Sequence, residues 1–299
     1  MKPAMTAIKQ KQIGALRDRL YRRTPARRVQ TPREAGKFVE EVGFCLFWPI
    51  KGIEMPNLFH AIAGRVRAVP TQHDDPDISK CWNWKDQALG QRKWYYGKLL
   101  GKRATLVSME YLPLFYALSP NFGGEDDYVQ DYEAGRLSRE AKNVYESLHQ
   151  HGPLDTVRLR RESRLAAESA KSAFERALVE LQVTMRILPV GVAEAGAWRY
   201  AFIYDLVPRH FPRLAEDARP ITRGQARTRL VARHLDNVVA ASQAEIVRVF
   251  GVLKWTPHEL EKTLTALIER RMVIKISVEG MKGEQIVSLR ALRSVRSRH

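Results

Sequence analysis

The chain has 299 residues, with 50 lysines and arginines against 33 aspartates and glutamates, a formal net charge of +17 and a sequence pI of about 10.1. That surplus points to a polyanionic partner, and its arginine-rich clusters favour nucleic acid, because the planar guanidinium pairs bidentately with phosphate or a guanine edge. No long apolar run, signal peptide or lipidation motif occurs, which argues against a membrane partner and makes a cytoplasmic protein, nucleoid-associated when bound to DNA, the expectation.

The amino-terminal unit, residues 1–135, is the least regular. Ile8 to Arg23 reads as a basic helix, in a stretch where Arg17, Arg19, Arg22, Arg23, Arg27, Arg28 and Arg33 crowd together. Thr31-Pro32-Arg33-Glu34 reads as a helix start for Ala35 to Glu41, and Asn57 to Ile62 as a helix that ends at Gly64. Between them, Gly43, Pro49, Gly52 and Pro56 stand among large apolar residues, which predicts a buried turn or broken helix. His73-Asp74-Asp75-Pro76-Asp77 and Gly124-Glu125-Asp126-Asp127, leading to Asp131 and Glu133, read as solvated loops without calcium-loop spacing. Cys45 and Cys81 sit beside bulky apolar residues and read as buried free thiols. Eight scattered histidines and no close Cys or His pairs give no metal site, and the absence of a phosphate loop or nucleotide fingerprint implies no cofactor.

The same unit holds the segment richest in chemistry. Trp82, Trp84, Trp94, Tyr95 and Tyr96 interleave with Lys85, Arg92, Lys93 and Lys98 around a single carboxylate, Asp86. Cations hold phosphates whatever the sequence, and flat rings stack on unpaired bases, so the pattern suits distorted DNA. The plain alternative is a core helix, since Trp84, Lys85, Trp94, Tyr95 and Lys98 also fall at spacings that bury one helical face.

The second unit, 136–215, reads as three helices and a hairpin. Ser138 caps a helix with Val144, Tyr145 and Leu148 on one stripe; His151-Gly152-Pro153 breaks it; Asp155 or Thr156 caps a short helix rich in arginine at 158, 160, 161 and 164. A third helix runs from about Ala166 to Gln182. Val183 to Leu188 and Trp198 to Tyr204 then read as two strands, which completes a winged-helix plan. The third unit, 216–299, repeats it: a helix from Arg223 to Val239 bearing Arg223, Arg227, Arg229 and Arg233, another from Ser242 to Phe250, a third capped by Thr256 with Pro257 and Glu259, and a hairpin closed by Glu279 to Gly283. Ala266 to Ile276 echoes Ala177 to Ile187, and Arg290, Arg293, Arg296 and Arg298 close the chain. The expected fold class is mainly α with small β-hairpin wings, an α+β chain of three tandem winged helices.

With Tyr145, Gly152-Pro153-Leu154-Asp155 and Ala197-Trp198-Arg199-Tyr200, the chain resembles the winged-helix DNA glycosylases of the AlkZ and YcaQ type. The resemblance implies three winged-helix units and a catalytic Gln followed two residues later by Gln or Asp, in an apolar segment that begins with glycine. The matching segment here is Gly43-Phe44-Cys45-Leu46-Phe47-Trp48-Pro49-Ile50, with Leu46 and Trp48 where the polar pair belongs. Neither can orient water or stabilise a cationic sugar. Lys51 as an amine nucleophile, with Glu54 and Asp86 as general bases, are the replacement candidates; their ordinary alternatives are solvated or salt-bridged groups. The DNA-contacting candidates are Trp48, Trp82, Trp84, Lys85, Arg92, Lys93, Trp94, Tyr95, Tyr96, Lys98, Arg160, Arg161, Trp198 and Arg199. The expected partner is DNA, double-stranded with damage or distortion. A transcription regulator without catalysis and a module binding an acidic protein are the competing expectations.

Overall fold

The computed structural model describes residues 8–72, 74–124, 126–196 and 199–296. Of the residues singled out above, His73, Glu125, Ala197, Trp198 and Arg298 lie outside that set. After α1 (Gln10–Leu20), one element order, helix, strand, helix, helix, strand, strand, occurs three times. It runs as α2 (Pro32–Val42), β1 (Phe44–Leu46), α3 (Leu58–Ala63), α4 (Pro76–Leu89), β2 (Trp94–Lys98) and β3 (Ala104–Ser108). Past α5 (Leu112–Tyr116) and α6 (Asp127–Glu133) it recurs as α7 (Arg139–His151), β4 (Leu154–Asp155), α8 (Thr156–Glu162), α9 (Lys171–Val183), β5 (Ile187–Ala193) and β6 (Ala201–Leu206). Past α10 (Val207–His210) and α11 (Leu214–Ala218) it recurs as α12 (Arg223–Val238), β7 (Ala240–Ala241), α13 (Gln243–Phe250), α14 (Pro257–Glu269), β8 (Val273–Ser277) and β9 (Glu284–Ser288), before α15 (Leu289–Arg296). The later two copies share the strand orders β4-β6-β5 and β7-β9-β8, all antiparallel. Mainly helical with hairpin wings, this is the expected α+β winged-helix class.

Local chemistry sets the helix ends. Thr31 accepts the Glu34 N–H ahead of Pro32, and Asn57 Oδ1 accepts the His60 N–H at 2.8 Å. Ser242 with Glu245 and Thr256 with Glu259 form complete capping boxes. Gly64 ends α3 at φ 66, and a Cβ there would lie 2.8 Å from Arg28 Cβ, so glycine is required twice over.

Two compact units emerge, residues 1–81 with 224–299 and residues 82–223. In the first, Ile13 and Leu16 of α1 pack with Val239, Val278 and Val287 of the last repeat and Leu292 of α15. Arg17 fastens the join, donating at 2.8 Å to the carbonyls of both Val238 and Ala240. In the second, Tyr145, Leu148, Phe174, Leu181, Ile187 and Leu206 centre the core.

Several elements differ from the sequence reading. Gly43 to Pro56 opens on strand β1, with Phe44, Cys45 and Leu46 all buried, so no polar alternation marked it as a strand. The helical spacing from Trp84 to Lys98 does not persist. α4 stops at Leu89, Arg92 turns the chain at φ 53, and Trp94 to Lys98 pair with Ser108 to Ala104. The third helix of the second unit begins at Lys171, and its hairpin strands start four and three residues later than expected, at Ile187 and Ala201.

The echo between the second and third units is out of register. The left-handed residues after α9 and α14 are Met185 and Arg271, and the Arg186 and Met272 amides return to Leu181 and Leu267. Leu267 therefore corresponds to Leu181, not to the Leu178 that the sequence match pairs with it, a slip of nearly one helical turn.

Described carboxylates of the acidic stretches are engaged within the fold. Asp75 accepts the N–H groups of Asp77 and Ile78 at the start of α4, and Arg67 bridges Asp75 and Asp77. Asp131 is buried on Arg186 and Arg136, both at 2.6 Å. Cys45 and Cys81 are buried free thiols, and burial pushes both up. Among the described residues no helix is long and apolar enough to cross a membrane.

Candidate nucleic-acid interface

Consecutive residues of α4 point Lys85 into a nest of rings. Its ammonium lies 4.1 Å from the Trp82 ring centre and 4.3 Å from that of Phe202, with Tyr96 and Tyr200 at 5.4 and 5.5 Å. Lys85 donates at 2.8 Å to the Tyr200 hydroxyl and pairs at 2.7 Å with Asp86, whose carboxylate accepts from the same phenol at 3.0 Å. Burial pulls the Lys85 ammonium down to about 8, the Asp86 partner opposing. Burial, then the Asp86 charge, pushes the Tyr200 phenol up, so it stays a hydrogen-bonding group.

The residues of the aromatic segment divide by burial. Trp84, Trp94, Tyr95 and Tyr96 are buried and Lys85 is fully so; a ring or ammonium that solvent cannot reach does not meet a base or phosphate in this conformation. They form core. Trp82 is half-buried, edge-on to Tyr200 at 5.8 Å. Arg92 and Lys93 are exposed in the turn between α4 and β2, while Lys98 is half-buried, burial drawing its ammonium down.

On α8 the arginines divide. Arg160 is spent on the carbonyls of Leu165, Ala166 and Ala167 at 3.1 to 3.2 Å, closing the end of its own helix. Arg158, Arg161 and Arg164 are exposed, Arg161 pairing with Glu162 at 3.0 Å. Arg199 is exposed at φ 50 and pairs with Glu194. Between α8 and β6 lies a mostly apolar cleft of about 670 Å³, walled by Val157, Arg160, Arg161, Ala166, Tyr200 and Phe202. Tyr200 and Phe202 were not singled out as site residues. Their i, i+2 spacing entering a strand is the signal for a shared face.

The replacement catalytic candidates fall in different surroundings. Lys51 is exposed in a tight turn with Gly52, whose carbonyl accepts from Arg248 at 2.7 Å. Glu54 is held by Arg23 at 3.2 Å and Arg17 at 3.9 Å. Asp86 belongs to the Lys85–Tyr200 cluster. Leu46 is 1% exposed, and Trp48 packs edge-on to Phe47 at 4.6 Å and against Phe59 at 5.4 Å. Among the described residues no His, Cys, Asp and Glu group is placed to hold a metal ion.

No curated protein matches the sequence. Among solved structures, the DNA glycosylase AlkZ of Streptomyces sahachiroi is similar in fold, with a TM-score of 0.62 at 12% identity, covering 97% of this chain and 72% of that one. A family model described as AlkZ related matches residues 29–251. With that much of its length matched, and the helix–strand order repeated three times, the chain belongs to the AlkZ-related family.

Proposed function

We propose that the chain is a DNA-repair protein that grips duplex DNA through its winged-helix units and recognises damage or distortion, without the glycosylase chemistry of a Gln pair. The observation that carries this reading is the outward set Arg158, Arg161 and Arg164, three exposed guanidiniums on and just past one short helix of a winged-helix unit. Their exposure suits contact with a phosphate backbone, whereas Arg160 turns back onto the carbonyls of Leu165 and Ala166. The AlkZ-related family and the glycosylase fold neighbour support DNA as the partner. Leu46, buried in the apolar core, and Trp48, half-buried against Phe47 and Phe59, supply no group to activate water.

Duplex binding measured between 50 and 200 mM salt tests this. Binding weakens steeply with salt, and replacing Arg158, Arg161 and Arg164 by glutamine lowers the log–log slope by about one unit per lost phosphate contact. A flat profile, or a slope the triple variant leaves unchanged, overturns the reading.

A further inference from the structure

The second compact unit holds one aromatic face that is both exposed and fixed. Tyr200 is 38% exposed, yet its hydroxyl is held at both ends of its hydrogen-bonding capacity, accepting from Lys85 at 2.8 Å and donating to Asp86 at 3.0 Å. Trp82 and Phe202 brace the ring edge-on at 5.8 and 5.6 Å. Its orientation is set before anything binds, which removes an ordering cost from stacking. The ring walls the cleft of about 670 Å³ beside α8, a size suited to a base with its sugar and within the usual range of ligand pockets. Val157, half exposed on α8, lines the same cleft, and the positive edge of Arg161, with Arg158 on the same helix and Arg164 just past its end, suits flanking phosphates.

We propose that the cleft between α8 and β6 takes one unstacked nucleobase of a DNA strand and stacks it on Tyr200, with α8 arginines on the neighbouring phosphates. The assignment rests on the damage-recognition reading above and moves its stacking role from the buried rings of α4 and β2 to Tyr200. Lys85 and Asp86 act here as positioning residues for the phenol. The cationic edge selects a base carried by a phosphate backbone, because an uncharged aromatic ligand gains nothing from it. Stacking on an aromatic side chain is sequence-tolerant, so any of the four bases is accepted.

The test uses the full chain and duplexes carrying 2-aminopurine opposite an abasic site, beside an intact duplex of the same sequence. The parent prefers the abasic duplex and quenches the probe. Tyr200→Ala loses at least about fivefold of that preference while intact-duplex affinity stays within about twofold, the scale expected for one stacked base. Val157→Glu, at an exposed position that core packing does not need, blocks the cleft with the same selective loss and keeps the test decisive should Tyr200→Ala fold poorly. Tyr200→Phe keeps the ring and retains most of the preference. If the parent shows no preference, damage recognition itself fails; if it shows one that neither Tyr200→Ala nor Val157→Glu alters, the cleft is not the site. Equal quenching of free 2-aminopurine deoxyribonucleoside monophosphate at matched concentration would make this a mononucleotide pocket and overturn the strand-reading assignment.

Discussion

Lys85 Nζ stands 2.7 Å from Asp86 Oδ1, yet the lysine side chain is wholly excluded from solvent while the carboxylate remains 23% exposed. Neighbours in sequence thus occupy opposite sides of one dielectric boundary. Burial dominates and draws the ammonium from 10.5 to about 8. The unfolded chain therefore binds the extra proton between about pH 8 and 10.5, so this group adds stability as pH rises through that window and contributes no slope below it. Urea midpoints of the parent, relative to Lys85→Met, are expected to rise from pH 7.5 to 9.5, with a slope of up to about 1.4 kcal/mol per pH unit. Parallel behaviour of the two proteins would show that the ammonium is hydrated.

A second buried charge behaves oppositely. Burial pushes the Asp131 carboxyl up, but hydrogen bonds from Arg186 and Arg136 outweigh it and hold the group below the usual carboxylate range. Its stabilisation is present above the unfolded value and lost as pH falls through the folded one. Arg186 is 3% exposed, so Asp131→Asn leaves a buried guanidinium without its counter-ion and should cost about 3–5 kcal/mol at neutral pH. Midpoints at pH 7 and pH 3 check it: the gap between parent and variant narrows in acid.

Periodicity and caps made the later two-thirds of the chain legible. The Ser138, Asp155, Ser242 and Thr256 caps all appear where side-chain oxygens precede amphipathic runs, and the hairpins follow. Strand β1 was illegible because both its faces are buried, which erases alternation. The arginine clusters were legible as clusters but not as roles. Arg17 caps carbonyls, Arg22 pairs with Glu41 at 2.7 Å and Arg23 with Asp18 at 2.9 Å, while Arg27, Arg28 and Arg33 are exposed. Composition is the same in both sets, and only tertiary partners separate a staple from a free surface charge. Tyr200 was hidden for a similar reason, since its anchors lie more than a hundred residues away in α4.

Trp94 distinguishes core from interface by experiment. At 3% exposed it fills the wall of the β2–β3 hairpin, and Trp94→Ala should cost about 3–5 kcal/mol of stability. In protein kept folded at low temperature, affinities for gapped and intact duplex should change by the same factor. Thermal melts with paired titrations measure both. A loss confined to gapped DNA would return this ring to the interface.

The last expectation concerns base release. The family resemblance asks for two polar groups at positions 46 and 48, and the structure shows Leu46 inside β1 and Trp48 wedged against Phe47 and Phe59. Glu54 is engaged by two arginines, Arg23 and Arg17, and Asp86 already accepts from Tyr200 and Lys85. Lys51 is exposed in the turn with Gly52, with no enclosing pocket described around it to hold a sugar against its amine. Purified protein should therefore release no base from alkylated or crosslinked duplex. Leu46→Gln with Trp48→Gln should restore none, because position 46 is buried inside β1, where an amide left unsatisfied lowers stability by roughly 1–3 kcal/mol. A product assay on alkylated duplex, run beside Lys51→Ala, Glu54→Gln and Asp86→Asn, decides the point. Release by the parent that vanishes in one of these while binding persists would identify a replacement apparatus; release untouched by all three would place catalysis elsewhere; and none, with lesion binding intact, is the outcome that the packing of Leu46 and Trp48 leads us to expect.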